Sequence, residues 1–346
     1  EAAEKLKQAQ VEQQQGLPVA PERLTVAQYL GDWLRAVEPT VRPKTYAGYE
    51  SIVRTRISPH LGAVRLGKLT PLDVQRLYAD LEQAGLSARS IHHTHRVLKR
   101  ALKQAVQWNL LARNPADGAT APRPARTELR PLTADQVARL LTATADQPDH
   151  ALYVVAVTTG MRLGELGGLT WSDVDLGGAA GPTAPGREAG PTLRVQRSLQ
   201  AQRGRGLVLV EPKTARARRT IHLSQVAVAA LREQRRQQLA RRLARRPAWQ
   251  DTDLVFDRGD GAPTSPSTTT KRFQRALAAA GLPRIRFHDL RHTAATLLLA
   301  AGTHPKVVSE MLGHATITLT LDTYSHLVPA MHVQAADAMD RLLGGA

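Results

Sequence analysis

The most informative part of the sequence is the last sixth of the chain. Three segments follow one another there: His288-Asp289-Leu290-Arg291-His292, then Leu312-Gly313-His314, and then Tyr324 ten residues further on. Two histidines, an arginine and a tyrosine thus occur in fixed order within one short, mostly helical stretch. Imidazoles and guanidinium groups can surround a phenol with proton acceptors and positive charge.

Two segments further upstream add to this set. Arg162 lies in Thr159-Gly160-Met161-Arg162-Leu163-Gly164-Glu165, and Lys213 lies in Glu211-Pro212-Lys213-Thr214. Planar guanidinium groups bind pairs of phosphate oxygens, and fixed donors stabilise the charge that develops in a transition state. A phenol with a pKa of about 10 becomes a nucleophile beside such cations or a base. Together these residues are the inventory needed to break a phosphodiester without a metal.

Length and composition limit the class of protein. A chain of 346 residues is about right for two domains, and 42% hydrophobic residues suffice for real cores. Because only 4% are aromatic, the cores must consist mainly of Leu, Val and Ala. The absence of cysteine excludes disulfides, thiolate catalysis and Cys-type zinc sites, and it fits a reducing cytoplasm.

The positive charge is concentrated in two regions. The net charge is +17, residues 203–246 hold 13 Lys/Arg against two Glu, and residues 85–113 hold six Lys/Arg and no acid. Positive charge that serves only solubility would be distributed evenly along the chain. Two separate basic stretches instead predict two surfaces that face phosphate groups. A basic excess of this size favours a polyanionic partner: DNA, RNA or an anionic membrane. No apolar run approaches the roughly 20 residues of a membrane span.

The first part of the chain predicts a tail and a helical domain. Residues 1–23 begin with a Gln/Glu/Lys-rich helix and read as a linker or tail, with a preceding domain missing from the sequence. Residues 24–115 predict an all-helical domain. The helix starts are at Thr25, at Pro43, at Thr70 and at Ser87, and the longest helix covers 87–108.

The second part predicts a linker and a mixed domain. Residues 116–130, rich in Ala, Pro, Arg and Thr, read as an extended linker. Residues 131–346 form the second domain, which starts with a capped helix at Thr133. Short strands are expected at 193–196, 207–210 and 220–223, with helices from Ser224 onward. The expected fold is mainly α with a small antiparallel β-sheet in the second domain.

These segments together resemble the tyrosine recombinases of the phage integrase family. The matching segments contain Arg162 with Glu165, Lys213, His288-Asp-Leu-Arg291-His292, Leu-Gly-His314 and Tyr324, in the family's order and approximate spacing. The resemblance covers roughly residues 24–345. It implies a SAM-like helical core-binding domain and a mixed α/β catalytic domain that close on a duplex as a two-domain clamp. The partner that it implies is double-stranded DNA, and no membrane partner is expected.

The resemblance also implies a site and a reaction. Catalytic roles would fall to Arg162, Lys213, His288, Arg291, His314 and Tyr324, with Glu165 orienting Arg162. Tyr324 would attack phosphorus to give a 3′-phosphotyrosine and a free 5′-hydroxyl, which Lys213 protonates as it leaves. The family needs neither a cofactor nor a metal, so none is expected.

The basic residues supply the expected DNA contacts. The long helix 87–108 is the candidate for the major groove, and phosphate contacts are expected near Lys213. The DNA-binding residues predicted in this way are Arg89, Arg96, Lys99, Arg100, Lys103, Arg216, Arg218 and Arg219.

Assembly and biology are also implied by the family. The chain would be a monomer or weak oligomer when free and a homo-tetramer on recombination sites, encoded by a bacterium or a phage, acting at the nucleoid, and in some cases guided by a directionality factor. It would integrate and excise a mobile element. The helical tail 331–343 would dock on a neighbouring protomer.

Three alternatives use the same residues. His288 and His292 have the spacing of a zinc pair, although Asp289 replaces the Glu of the metalloprotease pattern and only His314 could be proposed as a third ligand. A non-catalytic sequence-specific DNA-binding protein would explain the basic regions but not Tyr324. A type IB topoisomerase-like enzyme shares the same chemistry and relaxes DNA as a monomer.

Overall fold

The structure is a computed structural model of the whole chain. It describes residues 23–125, 130–177, 190–202, 204–211 and 218–314, and a few isolated positions beyond them. The chain divides into two compact units, Glu1–Thr127 and Glu128–Ala346. No described helix has the length and apolar character that crossing a membrane requires.

The first unit is helical throughout its described part. Short 3₁₀ turns cover Glu38–Thr40, Leu66–Lys68 and Pro115–Gly118, and a π-helical turn covers Val53–Ile57. The α-helices are α1 (Val26–Val37), α2 (Pro43–Ile52), α3 (Ser58–Leu61), α4 (Pro71–Gln83) and α5 (Ala88–Gln107).

The starts of these helices follow from local chemistry. The Thr25 hydroxyl accepts a hydrogen bond from the Gln28 backbone N–H at 3.3 Å, and the Gln28 side chain accepts one from the Thr25 N–H at 3.0 Å. Thr70 and Asp73 form the same reciprocal pair at the start of α4. Such capping satisfies N–H groups that the first turn leaves without an intrahelical partner.

The core of the first unit is built on the inner face of α5. This 20-residue helix buries an apolar stripe and exposes its basic face. The Tyr29 hydroxyl reaches across from α1 and donates to the Ala101 carbonyl at 2.5 Å. On α4, the Tyr78 hydroxyl lies 2.6 Å from Nδ1 of His95. Two aromatic residues thus fix α1 and α4 against α5.

The second unit combines seven helices with five short strands in its described part. The helices are α6 (Ala134–Ala143), α7 (His150–Thr159), α8 (Leu163–Gly167), α9 (Gln225–Ala244), α10 (Pro266–Ala279), α11 (Asp289–Ala300) and α12 (Pro305–Leu312). The strands are β1 (Val174–Asp175), β2 (Thr192–Val195), β3 (Ser198–Gln202), β4 (Gly206–Val210) and β5 (Arg219–His222), and a 3₁₀ turn covers Trp171–Asp173.

The strands form two antiparallel sheets. One sheet has the order β1-β2-β5, with Leu193 opposite both Val174 and Ile221. The other is the hairpin β3-β4, with Leu199 opposite Leu209. Strands were expected near β2, β4 and β5 but not at β1 or β3. β1 has two residues, and β3 carries mainly polar residues, so neither has the apolar run that marks a strand.

Helix α7 forms the centre of the second core. Nearly all its residues are buried, which fits its continuous apolar sequence from Ala151 to Val157. The rings of Tyr153, Phe273 and Phe287 pack together at its start, with centroids 5.2–6.5 Å apart. The expected fold class is confirmed as mainly α with small antiparallel sheets, two of them rather than one.

Candidate active site

The site is built at the carboxyl end of α7. There Gly160 takes a left-handed conformation with φ +63°, which ends the helix and turns the chain toward Arg162. A Cβ on Gly160 would lie 2.4 Å from Cδ2 of Leu312, the last residue of α12. Glycine is therefore required by both the backbone and the close approach of α12.

Arg162 and Glu165 form a closed local pair at the start of α8. The Glu165 carboxylate accepts from the Arg162 backbone N–H at 3.0 Å and from its guanidinium at 2.8 Å. The side chain of Arg162 is 41% exposed, whereas that of Glu165 is buried. Glu165 therefore holds the Arg162 backbone and one side of its guanidinium, and it leaves the rest of that side chain exposed to solvent. Residues three apart lie on the same side of a helix, so this contact was expected.

Arg219 differs from its expected role as a surface DNA contact. Its side chain is only 6% exposed, and it donates to both oxygens of Glu165, at 2.8 and 3.4 Å. Its Nε also donates to the Met311 carbonyl at 2.6 Å. Arg219 therefore connects β5, α8 and α12 from inside. The sequence of β5 contains a signal for this burial. Successive side chains of a strand point to opposite faces, so Arg219 lies on the same face as the buried Ile221.

The Arg219 guanidinium keeps Glu165 charged. Burial by itself pushes the pKa of the Glu165 carboxyl upward. Hydrogen bonds and positive charge from Arg219 and Arg162 outweigh this effect and hold the pKa below its usual range. The site thus contains one buried carboxylate between two guanidinium groups.

Arg291 enters the site from the first turn of α11. Its residue is only 3% exposed, and its guanidinium donates to the Gly160 carbonyl at 2.9 Å. The helix is anchored at this end, since the Asp289 carboxylate accepts from the Arg286 backbone N–H at 2.7 Å. The buried Thr293 hydroxyl accepts from the Leu132 N–H at 3.0 Å. These contacts hold α11 so that Arg291 meets the end of α7.

His288 and His292 are held in the uncharged form. His288 directly precedes α11, and burial, followed by the charges of His292, Arg291 and Arg162, lowers its pKa to about 4. Burial also lowers the pKa of the neighbouring His292. At neutral pH each of these imidazoles is therefore uncharged, with one ring nitrogen as hydrogen-bond acceptor and the other as donor.

His314 reaches the site through a second left-handed glycine. Gly313, with φ +67°, ends α12, and the His314 N–H donates to the Ser309 carbonyl at 3.0 Å. Burial lowers the pKa of His314 to about 4, and the charges of Arg291 and Arg162 act in the same direction. The Leu-Gly-His segment therefore brings an imidazole to the same arginines.

The structure brings together six residues from distant parts of the sequence. They are Arg162, Glu165, Arg219, His288, Arg291 and His314. Lys213, Arg216 and Tyr324 lie outside the described residues. Within the described ranges, no three His, Asp or Glu side chains are grouped in a way that could hold a metal ion.

The predicted DNA contacts on α5 form one exposed face. Arg89, Arg96 and Lys103 are exposed there. Lys99 pairs with Asp117 at 2.7 Å. Arg100 donates to the Tyr49 hydroxyl at 3.1 Å and lies over its ring. In the second unit, Arg218 is exposed and pairs with Glu211 at 2.7 Å.

Comparison with known proteins identifies the family of the chain. The model of the phage integrase family matches residues 191–331, and that of the phage integrase N-terminal SAM-like domain matches residues 25–81. An integrase of Streptomyces ambofaciens is 31% identical over 98% of this chain and 86% of its own length. A tyrosine recombinase XerC-like protein of Caldanaerobacter subterraneus is 29% identical over 94% of this chain and 85% of its own length.

Solved structures share the fold. An integrase of the transposon Tn1549, in complex with transposon right end DNA, matches with a TM-score of 0.75 at 24% identity, over 93% of this chain and 100% of that one. A lambda integrase tetramer bound to a Holliday junction matches with a TM-score of 0.64 at 19% identity, over 88% of this chain and 78% of that one. The chain therefore belongs to the phage integrase family and is a tyrosine recombinase, an enzyme that breaks and rejoins DNA strands at specific sites.

Proposed function

We propose that the cluster at the end of α7 binds the scissile phosphate of a DNA strand. The observation that carries this proposal is the meeting of Arg162, Arg291, His288 and His314 around one helix end. Two guanidinium groups match the two non-bridging oxygens, whose negative charge grows in the pentavalent transition state. The open face of Arg162 is the part that meets the DNA.

Tyr324 acts as the nucleophile in this proposal. Its phenolic oxygen bonds to phosphorus as the bond to the 5′-oxygen breaks, which leaves a 3′-phosphotyrosine and a 5′-hydroxyl. A neutral histidine takes the phenolic proton, and Lys213 gives a proton to the departing 5′-oxygen. Because the phosphotyrosine keeps the energy of the broken ester, a 5′-hydroxyl of another strand can reverse the step.

Arg219 has a positioning role in this proposal. It does not reach the DNA, because its side chain is buried against Glu165 and the Met311 carbonyl. Arg219 holds Glu165, and Glu165 in turn holds the backbone and the guanidinium of Arg162. Arg219 also holds the Met311 carbonyl, which fixes the end of α12 just before His314. Its replacement would therefore misplace two groups of the cluster.

The basic face of α5 is proposed to bind the same duplex. Arg89, Arg96, Lys99, Arg100 and Lys103 would contact phosphates and base edges, and Arg216 and Arg218 would contact phosphates beside the catalytic cluster. Residues 24–115 and 131–346, joined by 116–130, would both contact this duplex. The slope of log binding constant against log salt concentration should fall by roughly one for each lost phosphate contact, because one fewer counterion is released from the DNA.

The biological reaction proposed is integration and excision of a mobile element in a bacterial cytoplasm. Four copies would assemble on two recombination sites, while the free chain would be a monomer or weak oligomer. A small accessory factor could set the direction of the reaction. An enzyme of this kind must join two duplexes, whereas a topoisomerase relaxes one.

A suicide duplex tests the proposed chemistry. A nick beside the scissile phosphate lets the short 5′-hydroxyl strand diffuse away, so that a covalent adduct accumulates on a denaturing gel. We expect an adduct with the native chain in EDTA and none with Tyr324→Phe, although both bind the duplex equally. Tyr46→Phe, with its partly buried tyrosine in the first unit, is the matched control and should keep the adduct. Tight binding without any adduct would contradict the proposal.

A further inference from the structure

A cavity of about 500 Å³ lies in the second unit, away from the recombination site. It is lined by residues of α9, α10 and the loops that precede α7 and α10. This volume is within the range of sites that bind small molecules, roughly 300–1,000 Å³. Its charged lining residues include Asp149, Arg241, Asp257, Arg258, Arg272 and Arg275.

The arginines of this cavity are only partly engaged. The Arg241 guanidinium is 3.8 Å from the Asp257 carboxylate, and its buried Nε has no hydrogen-bond partner in the part of the chain that the structure describes. Arg272 is 3.4 Å from Asp149, and Arg258 pairs with Asp260. The lining therefore carries guanidinium groups with capacity for further acceptors.

The carboxylates of the cavity are committed to the protein. Asp257 accepts from the Gln238 side chain at 2.5 Å and from the Gly261 N–H at 3.3 Å. Burial raises the pKa of Asp149, against the opposing charge of Arg272. The lining holds four arginines and two aspartates, so its formal charge is positive.

We propose that this cavity binds a small molecule with two anionic groups, either phosphates or carboxylates. Guanidinium groups hold such oxyanions through paired hydrogen bonds. Arg241 of α9 and Arg272 and Arg275 of α10 supply these donors from two sides. A DNA backbone offers the same phosphate chemistry, and the experiment below separates the two sources.

The cavity is distinct from the recombination site. Asp149 directly precedes α7, whereas Gly160 directly follows it. Ten helical residues span about 15 Å. A bound anion would therefore lie at the opposite end of the helix that carries the catalytic cluster.

Calorimetry with pyrophosphate tests this proposal. The full chain is titrated alone and after saturation with a duplex that occupies its DNA-binding surface. We expect binding to persist in the duplex complex with an unchanged Kd. In Arg275→Gln the Kd should rise about ten-fold or more, the effect of losing one charge-assisted hydrogen bond. Arg275 is exposed on α10, so this change should leave folding intact.

Arg245→Gln is the matched control, because it removes an equal charge from an exposed position outside the cavity. Its Kd should equal that of the native chain. Equal Kd values for the native chain and Arg275→Gln would overturn the proposal. Displacement of pyrophosphate by the duplex would also overturn it and assign the cavity to DNA. Neither result depends on DNA cleavage, so the test is independent of the proposed function.

Discussion

Arg219 shows how one side chain can determine the geometry of the site. Both it and Glu165 are more than nine-tenths buried, and their closest contact is 2.8 Å. Removing one partner of a buried pair typically costs about 3–5 kcal/mol, and without Arg219 the buried Glu165 carboxylate would keep only the partly exposed Arg162 of the two guanidinium groups described above. Arg218, the sequence neighbour of Arg219, is exposed and pairs with Glu211, which is also exposed. The two adjacent arginines therefore have different physical roles.

We predict that Arg219→Met lowers the free energy of unfolding by about 3–5 kcal/mol. The adjacent Arg218→Met removes the same group from the surface and should change it by less than about 1 kcal/mol. Denaturant titration measures both. Equal effects of the two substitutions would contradict the assignment of Arg219 to the interior.

His288 and His314 make the stability of the folded chain sensitive to acid. In the unfolded chain they take up protons near pH 6.5, but in the folded chain only near pH 4. The unfolded state therefore binds more protons between these values, and stability falls as the pH decreases through this window. Above pH 7 they contribute no pH dependence.

We expect His314→Gln to reduce the slope of stability against pH between 6.5 and 4, because it removes one of these protonation steps. Thermal unfolding from pH 7.5 to 4.5 measures the slope. His93→Gln, on the exposed face of α5, is the control and should keep the native slope. An unchanged slope in His314→Gln would show that His314 is not held neutral.

At the scale of elements, the contact between α7 and α12 depends on a single glycine. A Cβ at Gly160 would overlap Leu312, and its φ of +63° disfavours any other residue. Gly48, by contrast, lies in α2 with nothing within 4 Å of the corresponding position. The two glycines therefore predict opposite effects of alanine.

We predict that Gly160→Ala destabilises the chain by about 2–4 kcal/mol, the sum of overpacking and backbone strain. Gly48→Ala should instead stabilise it by about 0.5–1 kcal/mol through helix propensity. Chemical unfolding distinguishes them. Because the substitution also moves Leu312 and thus His314, DNA cleavage by Gly160→Ala should fall further than its binding to DNA.

The elements show what the sequence could and could not predict. Helices were predictable where capping residues and an apolar stripe coincide, as at Thr25, Thr70 and Ser87. The strands β1 and β3 were missed because their stability comes from pairing with distant partners rather than from their own residues. The burial of Arg219 was not predicted, because it depends on a contact with Glu165, which lies 54 residues away in the sequence.

In the residues that the structure describes, each unit of the molecule has one large hydrophobic core, and the second unit also has a small cluster between α11 and α12. The large core of the first unit is centred on α5, and that of the second is centred on α7. Each unit has a core of its own, as an independently folding domain requires. We expect a fragment of residues 23–125 to unfold cooperatively by itself, as measured by circular dichroism during heating. A broad, non-cooperative transition would show that the first unit needs the second.

The measurement that tests the central claim most directly is the site of covalent attachment to DNA. Trypsin should release residues 307–341 as one peptide, since no Lys or Arg lies between Lys306 and Arg341, and Tyr324 is its single tyrosine. After reaction with a suicide duplex and nuclease digestion, mass spectrometry should find a nucleotide joined through its 3′-phosphate to Tyr324. A nucleotide on any other residue, or an adduct that forms equally in Tyr324→Phe, would contradict the account.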